Sequence, residues 1–187
     1  MFDCSPLILT LRLDDASAAR FTSERQQHFP QTRNHLHAHL TLFHKLPAAE
    51  RPRIESDLRE EAGSQSPFTM DVAGLRFLGR GVAYDLASPE AAALRARLAA
   101  RWGDMLGAQD RQRIRPHVTI QNKVEPVQAR ALHAALSAGF VPYAVGAEGI
   151  DLWEYRGGPW FHLETFPFRG DGLPREAVKG THSRLKS

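Results

Sequence analysis

The chain has one cysteine, Cys4, in 187 residues. That excludes an internal disulfide and fits a reducing compartment, so the cytoplasm is the expected location. No apolar run approaches the roughly 20 residues that span a bilayer. The N-terminus carries no basic segment followed by a long apolar one, as a secretory signal would. A global excess of one charge is also missing. The net +3 is matched by the C-terminal stretch alone, where Arg169, Arg175, Lys179, Arg184 and Lys186 stand against Asp171 and Glu176. The body is therefore about neutral, and any contact with nucleic acid is expected to be local rather than spread over a basic surface. No membrane and no protein partner is implied, and a monomer is expected. A hydrophobic share of 42% and a charged share of 24% are those of a globular chain long enough to bury a core.

What is present is a tetrad that occurs twice. His39-Leu40-Thr41-Leu42 and His117-Val118-Thr119-Ile120 both read His, aliphatic, Thr, aliphatic, 78 residues apart. Successive side chains of a strand point to opposite faces, so each tetrad predicts a strand with one apolar face and one bearing His and Thr. The likeness extends outward, because Lys45 and Lys123 lie at the same offset and a Pro-started helix follows each.

Hydrophobic periodicity and turn residues predict the remaining elements. Residues 6–13 read as a strand, followed by a helix from Asp14-Asp15 to about Gln27, stopped by Pro30. The first tetrad strand is expected over 34–45, then a helix from Pro47 to about Ala62. Two strands, 68–78 and 81–87, flank Gly79-Arg80-Gly81. Ser88-Pro89 starts a helix to about Leu106. The second tetrad strand is expected over 116–123, a helix runs from Glu125-Pro126 to Gly139, and strands over 141–155 and 160–168 are joined by Gly157-Gly158-Pro159. The second half thus repeats much of the first. Two similar lobes facing each other bring both His/Thr faces to one cleft about a pseudo-two-fold axis. The domain expected is 1–168, with 169–187 a basic, flexible tail.

Imidazole is the side chain whose ordinary pKa lies nearest neutrality, so one His can take a proton while another gives one. Two such groups flanking a phosphorus can drive in-line displacement without a metal. Hydroxyls of Thr41 and Thr119 suit the charge on the non-bridging oxygens. Further candidates for substrate contact are His37 and Arg115, each two residues before its His; Phe43, in register with Thr41; and Tyr155, the polar-tipped member of an aromatic group with Trp153, Trp160 and Phe161. Arg pairs bidentately with phosphate, and aromatic rings stack bases.

His35, His37 and His39 alternate, which raises zinc as an alternative. No acidic partner is close in sequence, and His35 and His39 stand about 13 Å apart along a strand. That reading therefore rests on His37 and His39 alone, and no metal or other cofactor is expected.

The paired tetrads, with Pro116 before the second and the duplicated element order, resemble the 2H phosphoesterase superfamily, and within it the bacterial 2'-5' RNA ligase, or cyclic phosphodiesterase, group. The resemblance covers about residues 6–168. It implies a bilobal α+β fold, two antiparallel sheets lining a central cleft with helices outside. It implies metal-independent attack on 2',3'-cyclic phosphates of RNA ends or nucleotides, or reversible joining of RNA through 2'-5' bonds. His39, Thr41, His117 and Thr119 match the motif position by position as its catalytic residues. A non-catalytic RNA-end or nucleotide-binding module and a metal-dependent hydrolase built on His37 and His39 are the alternatives.

Overall fold

Strand β6 (Tyr143–Tyr155) organises the molecule, because its 13 residues are long enough to serve two groups of strands in succession. A computed structural model of the chain describes residues 5–170. The other elements are β1 (Leu7–Leu13), α1 (Asp15–His28), β2 (Leu40–Leu46), α2 (Arg51–Ser64), β3 (Phe68–Phe77), β4 (Val82–Ala87), α3 (Pro89–Arg101), β5 (His117–Gln121), α4 (Pro126–Ala138) and β7 (Trp160–Pro167), with short 3-10 turns at Gln31–Arg33 and Ala48–Glu50.

Local chemistry accounts for the boundaries. Asp14 caps α1 by accepting from the Ser17 amide at 2.9 Å. Ser88 caps α3 by accepting from the Ala91 amide at 3.1 Å, with Pro89 in the first turn. A reciprocal box of Glu125 and Gln128 opens α4 around Pro126. Pro47 does not itself open α2; the 3-10 turn intervenes and the helix starts at Arg51. Gly81 could not be replaced without moving backbone, since a Cβ there would sit 2.0 Å from the Gln121 carbonyl oxygen.

The strands form one antiparallel sheet in the order β2-β1-β6-β3-β4-β5, with β7 also on β6. The N-terminal part of β6 pairs with β3 (Val72 opposite Tyr143), and its C-terminal part pairs with β7 (Gly149 opposite Pro167). Along its other edge it pairs with β1. The fold is thus α+β as expected, but the two sheets expected are two halves of one continuous sheet that share β6. The order is a palindrome: β1-α1-β2-α2-β3 maps onto β4-α3-β5-α4-β6, about an axis between β3 and β6. Among the described residues strand β7 has no counterpart.

The ends of this order, β2 and β5, nevertheless touch. The sheet therefore folds back on itself, and its two tetrad strands come side by side. Helices cross over to cover it. Helix α1 packs on β5 and α4 on β3 and β4, while α2 packs on β7 and β6. Helix α3 reaches β2, where Trp102, just past its end, meets Phe43 edge-on at 5.1 Å. One apolar core, including Leu9, Phe21, Phe43, Leu94, Trp102 and Val118, lies beneath. Among the described residues no helix is long and apolar enough to cross a membrane. Arg169 and Gly170, the first residues of the expected tail, donate main-chain hydrogen bonds to Ala62 and Gln65 of the α2 end. The remainder of the basic tail lies outside the described residues.

Candidate active site

Both tetrads are built alike, down to a local irregularity. On β1, Thr10 lies opposite Thr41 and Leu9 opposite Phe43, so Leu42 is an extra residue. On β4, Ala83 lies opposite Thr119 and Val82 opposite Gln121, so Ile120 is extra. A β-bulge therefore follows each Thr. It breaks the alternation and turns the next side chain to the buried side. Phe43 is 0% exposed and Gln121 8%. This corrects the expectation for Phe43. It does not share the face of Thr41 as a cleft wall; it lies in the core, with the Arg95 guanidinium 3.6 Å from its ring centre.

The two imidazoles are held by the same device. His39 Nδ1 lies 2.8 Å from the His37 carbonyl oxygen, and His117 Nδ1 lies 2.9 Å from that of Arg115. A carbonyl only accepts, so in each ring Nδ1 carries the hydrogen and Nε2 is left for chemistry. Neither Nε2 has a protein partner among the described residues, and neither do the hydroxyls of Thr41 and Thr119. Burial drives the His39 imidazole down to about 4. Its bond to the His37 carbonyl works the other way, while the Arg25 charge adds to the lowering, as do His117 and His44 when protonated.

Each tetrad backbone is clamped by a buried arginine from the other half. Arg25 of α1 donates through Nη1 to the Thr119 carbonyl at 2.9 Å and through Nε to Asn34 and the Leu36 carbonyl. Arg95 of α3 donates through Nε to the Leu42 carbonyl at 2.8 Å and also to the Asp110 carbonyl. Asp110 in turn accepts from the main-chain amides of His44 and Lys45, both at 2.9 Å. Burial pushes the Asp110 carboxyl up, but the His44 ring and these two amides outweigh it and hold the group below its ordinary value.

The remaining candidates fall as follows. Residues 35–39 are not in a strand, since β2 begins at Leu40, so the alternation of His35, His37 and His39 is not that of a pleated ladder. His37 is exposed and borders a hollow of about 400 Å³ with His39, Thr10, Arg12, Asp151 and Trp153. Arg115 is exposed and borders a different hollow, against α3. Its carbonyl serves the site through His117. Tyr155 lies at the outer end of β6 opposite Trp160. The aromatic that reaches the site is Trp160, whose ring centre is 4.5 Å from that of His39. Among the described residues no three His, Cys, Asp or Glu side chains are grouped as a metal site requires.

Three neighbours are not among the sequence candidates. Thr10 lies opposite Thr41 and takes a hydrogen bond from Trp153 Nε1 at 2.9 Å. Asp85 lies opposite His117, and Arg76, opposite Ala83 on β3, is ion-paired to it. Cross-strand register is the signal that finds them, β1 on β2 for Thr10, β4 on β5 for Asp85 and β3 on β4 for Arg76, and it needs the pairing rather than the sequence spacing.

The family model described as the 2'-5' RNA ligase superfamily matches residues 13–159. No curated protein matches the chain. Among solved structures, TT0787 of Thermus thermophilus is similar with a TM-score of 0.63 and 18% identity over 89% of this chain and 100% of that one. LigT of E. coli, complexed with 3'-AMP, is similar with a TM-score of 0.54 and 22% identity over 88% and 98%. Its complex with NADP+ gives the same TM-score at 20% identity, with the same coverage.

Proposed function

The chain belongs to the 2'-5' RNA ligase superfamily, and from that membership we propose that it is a phosphoesterase opening 2',3'-cyclic phosphates of RNA ends or nucleotides. The same site, run with an RNA hydroxyl in place of water, joins ends through 2'-5' bonds. The observation that carries this reading is the repeated unit itself: a carbonyl-held imidazole two residues before a free Thr hydroxyl, on both of the strands that meet where the sheet folds back. The similarity to LigT, solved with 3'-AMP and NADP+, supports a nucleotide as the ligand class.

In the opening reaction a water oxygen attacks phosphorus in line. The neutral histidine takes the water proton on Nε2. The bond from phosphorus to one ribose oxygen breaks, and the second histidine, protonated, gives that oxygen its Nε2 proton. The product is a phosphomonoester beside a free hydroxyl, and the two histidines have exchanged protonation states. Thr41 and Thr119 donate to the non-bridging oxygens, whose charge grows toward the transition state. No step requires a metal, and both tetrads come from one chain, so a monomer suffices.

The test is turnover of a nucleoside 2',3'-cyclic phosphate and of 2'-5'-linked RNA in EDTA, by the wild type and by His39→Ala and His117→Ala. Turnover in EDTA with a loss of roughly 10³-fold or more in each variant is expected. Undiminished turnover in both variants overturns the assignment. Tight binding of the cyclic phosphate without conversion replaces it with a binding module, and activity that EDTA abolishes and zinc restores replaces it with metal chemistry at His37 and His39.

A further inference from the structure

Strand β7 is the element outside the repeat, and its first residue touches one histidine of the pair. The Trp160 ring lies 4.5 Å from the His39 ring, tilted by 50°. Among the described residues no aromatic ring stands against His117. The indole is braced from behind. Trp153 lies 6.3 Å from it and is fixed through its Nε1–H to Thr10. His162 stands edge-on to Trp153 at 5.0 Å, and its Nε2 lies 2.9 Å from the Thr165 hydroxyl, which donates to Asp151 at 2.5 Å.

Resting on the two-histidine reading above, we propose that Trp160 is a positioning residue that makes His39 the general base and leaves the proton-donating role in ring opening to His117. The indole leans on the imidazole, tilted by 50° with ring centres 4.5 Å apart, and takes that side of the half-buried ring out of water. An imidazolium needs that hydration far more than neutral imidazole does, so the cover holds His39 unprotonated with Nε2 ready to accept. The lowering of His39 to about 4, with burial as the largest cause, agrees with this. The other groups facing His39 are its His37 carbonyl, Arg25, His44 and His117, with Arg12, Asp15 and Asp151 around the adjoining hollow. Arg12 lies 3.8 Å from Asp15, and Asp151 is bonded to Thr165. Trp160 is bonded to none of these groups among the described residues, so substitution at 160 removes none of them and tests the indole.

The experiment follows each histidine by its ring Cε1–Hε1 NMR signal against pH, with His39 assigned by the signal lost in His39→Ala. It is run on the wild type, Trp160→Ala and Trp160→Phe, alongside the pH profile of kcat/KM for cyclic-phosphate opening. The wild-type His39 midpoint is expected near 4. In Trp160→Ala it rises toward the ordinary 6.5 by about one unit or more, and the acid limb of kcat/KM rises with it. Activity at about pH 5 then falls about twofold for a one-unit rise and roughly tenfold for a two-unit rise, while that at about pH 8 stays within roughly threefold. Trp160→Phe, which keeps an aromatic cover, stays near the wild type. An unmoved His39 midpoint in Trp160→Ala overturns the proposal, and so does a rise confined to KM, which would make the indole a stacking surface for substrate. If the wild type opens no cyclic phosphate, the functional reading fails by itself. If the wild type is active but titration and acid limb both ignore residue 160, only the role of Trp160 fails.

Discussion

The two halves of the sheet each present an imidazole and a Thr hydroxyl in the same local geometry, and then surround them differently. Shared are the imidazole held on the carbonyl two residues back, the bulge after Thr, and the arginine from the opposite half on the tetrad backbone. On the first half an indole lies against His39, the hydroxyl of Thr10 stands opposite Thr41, and Asp110 pins the far end of β2. Around His117 lie Asp85 across the strand pair, ion-paired to Arg76, and the small Ala83 opposite Thr119. Duplication accounts for the two alike imidazole and hydroxyl pairs on β2 and β5. The departures from it are what can assign them different protons, since a fully symmetric pair would have no reason to favour one as base.

The largest test of that asymmetry removes the need for an acid. In a nucleotide 4-nitrophenyl phosphodiester the bond that breaks releases 4-nitrophenolate, a stable anion, so protonation of the leaving oxygen contributes little. On it His117→Ala is expected to lose under about tenfold, while His39→Ala still loses roughly 10³-fold. Equal losses in the two variants would restore the symmetry. Next in size, Thr41→Ala and Thr119→Ala each are expected to lower kcat about 10²-fold, with KM less affected, because a hydroxyl aimed at developing charge acts in the transition state. Thr41→Ser and Thr119→Ser should recover most of the loss.

Much of this arrangement is legible in the sequence, and the failures have identifiable causes. The order of strands and helices follows from periodicity, caps and turn residues, and the tetrads mark His39, Thr41, His117 and Thr119 directly. Strict alternation misplaces Phe43 because it cannot anticipate an extra residue at Leu42. Among the aromatics of the last hairpin, a polar tip favours Tyr155, while contact with His39 belongs to Trp160, decided by register across β6 and β7. Arg115 sits at the right offset from His117, yet residues 113–116 precede the strand, so parity there carries no information. The merging of two lobes into one sheet depends on β6 pairing with β1, β3 and β7, and length alone gives no hint of which partners a strand takes.

The clamps and pins test stability rather than chemistry. Arg25→Ala takes the donor from the carbonyls of Thr119 and Leu36, and Arg95→Ala from those of Leu42 and Asp110; each is expected to lower stability by about 2–4 kcal/mol, read as a shift in urea midpoint at constant m-value. Asp110→Asn should cost about 1–2 kcal/mol, since it weakens the bonds to two main-chain amides. Its pH signature separates it from His39. A carboxyl lowered in the fold contributes above its unfolded value, near 3.8, and loses that contribution as pH falls from there through the lower folded value. An imidazole lowered in the fold acts earlier: the unfolded chain takes up a proton near 6.5 while folded His39 waits until about 4, so stability drops across that interval as pH falls. His39→Gln should flatten stability between about 6.5 and 4, and Asp110→Asn only below about 4. One window affected by both variants would mean that the two groups are not independent.

The smallest effect puts the repeat itself to the test. Lys45 and Lys123 occupy the same offset from their histidines, and both are exposed, but their backbones differ. Lys45 is extended in β2 with its amide bonded to Asp110 at 2.9 Å. Lys123 lies just past β5 with φ of 62°, the left-handed region that costs a side-chain-bearing residue about 1 kcal/mol. Glycine removes that cost at 123, though it also enlarges the unfolded ensemble; at 45 it brings only the second effect and weakens a strand. Lys123→Gly is therefore expected to be neutral or to stabilise by up to about 0.5 kcal/mol, and Lys45→Gly to destabilise by about 0.5–1 kcal/mol. Opposite signs at equivalent sequence positions, measured as urea midpoints, would show that the halves diverge in backbone as soon as the tetrad ends. Destabilisation of equal size would mean that the positive φ at Lys123 is not maintained in solution and that the second tetrad strand continues extended, as the first one does.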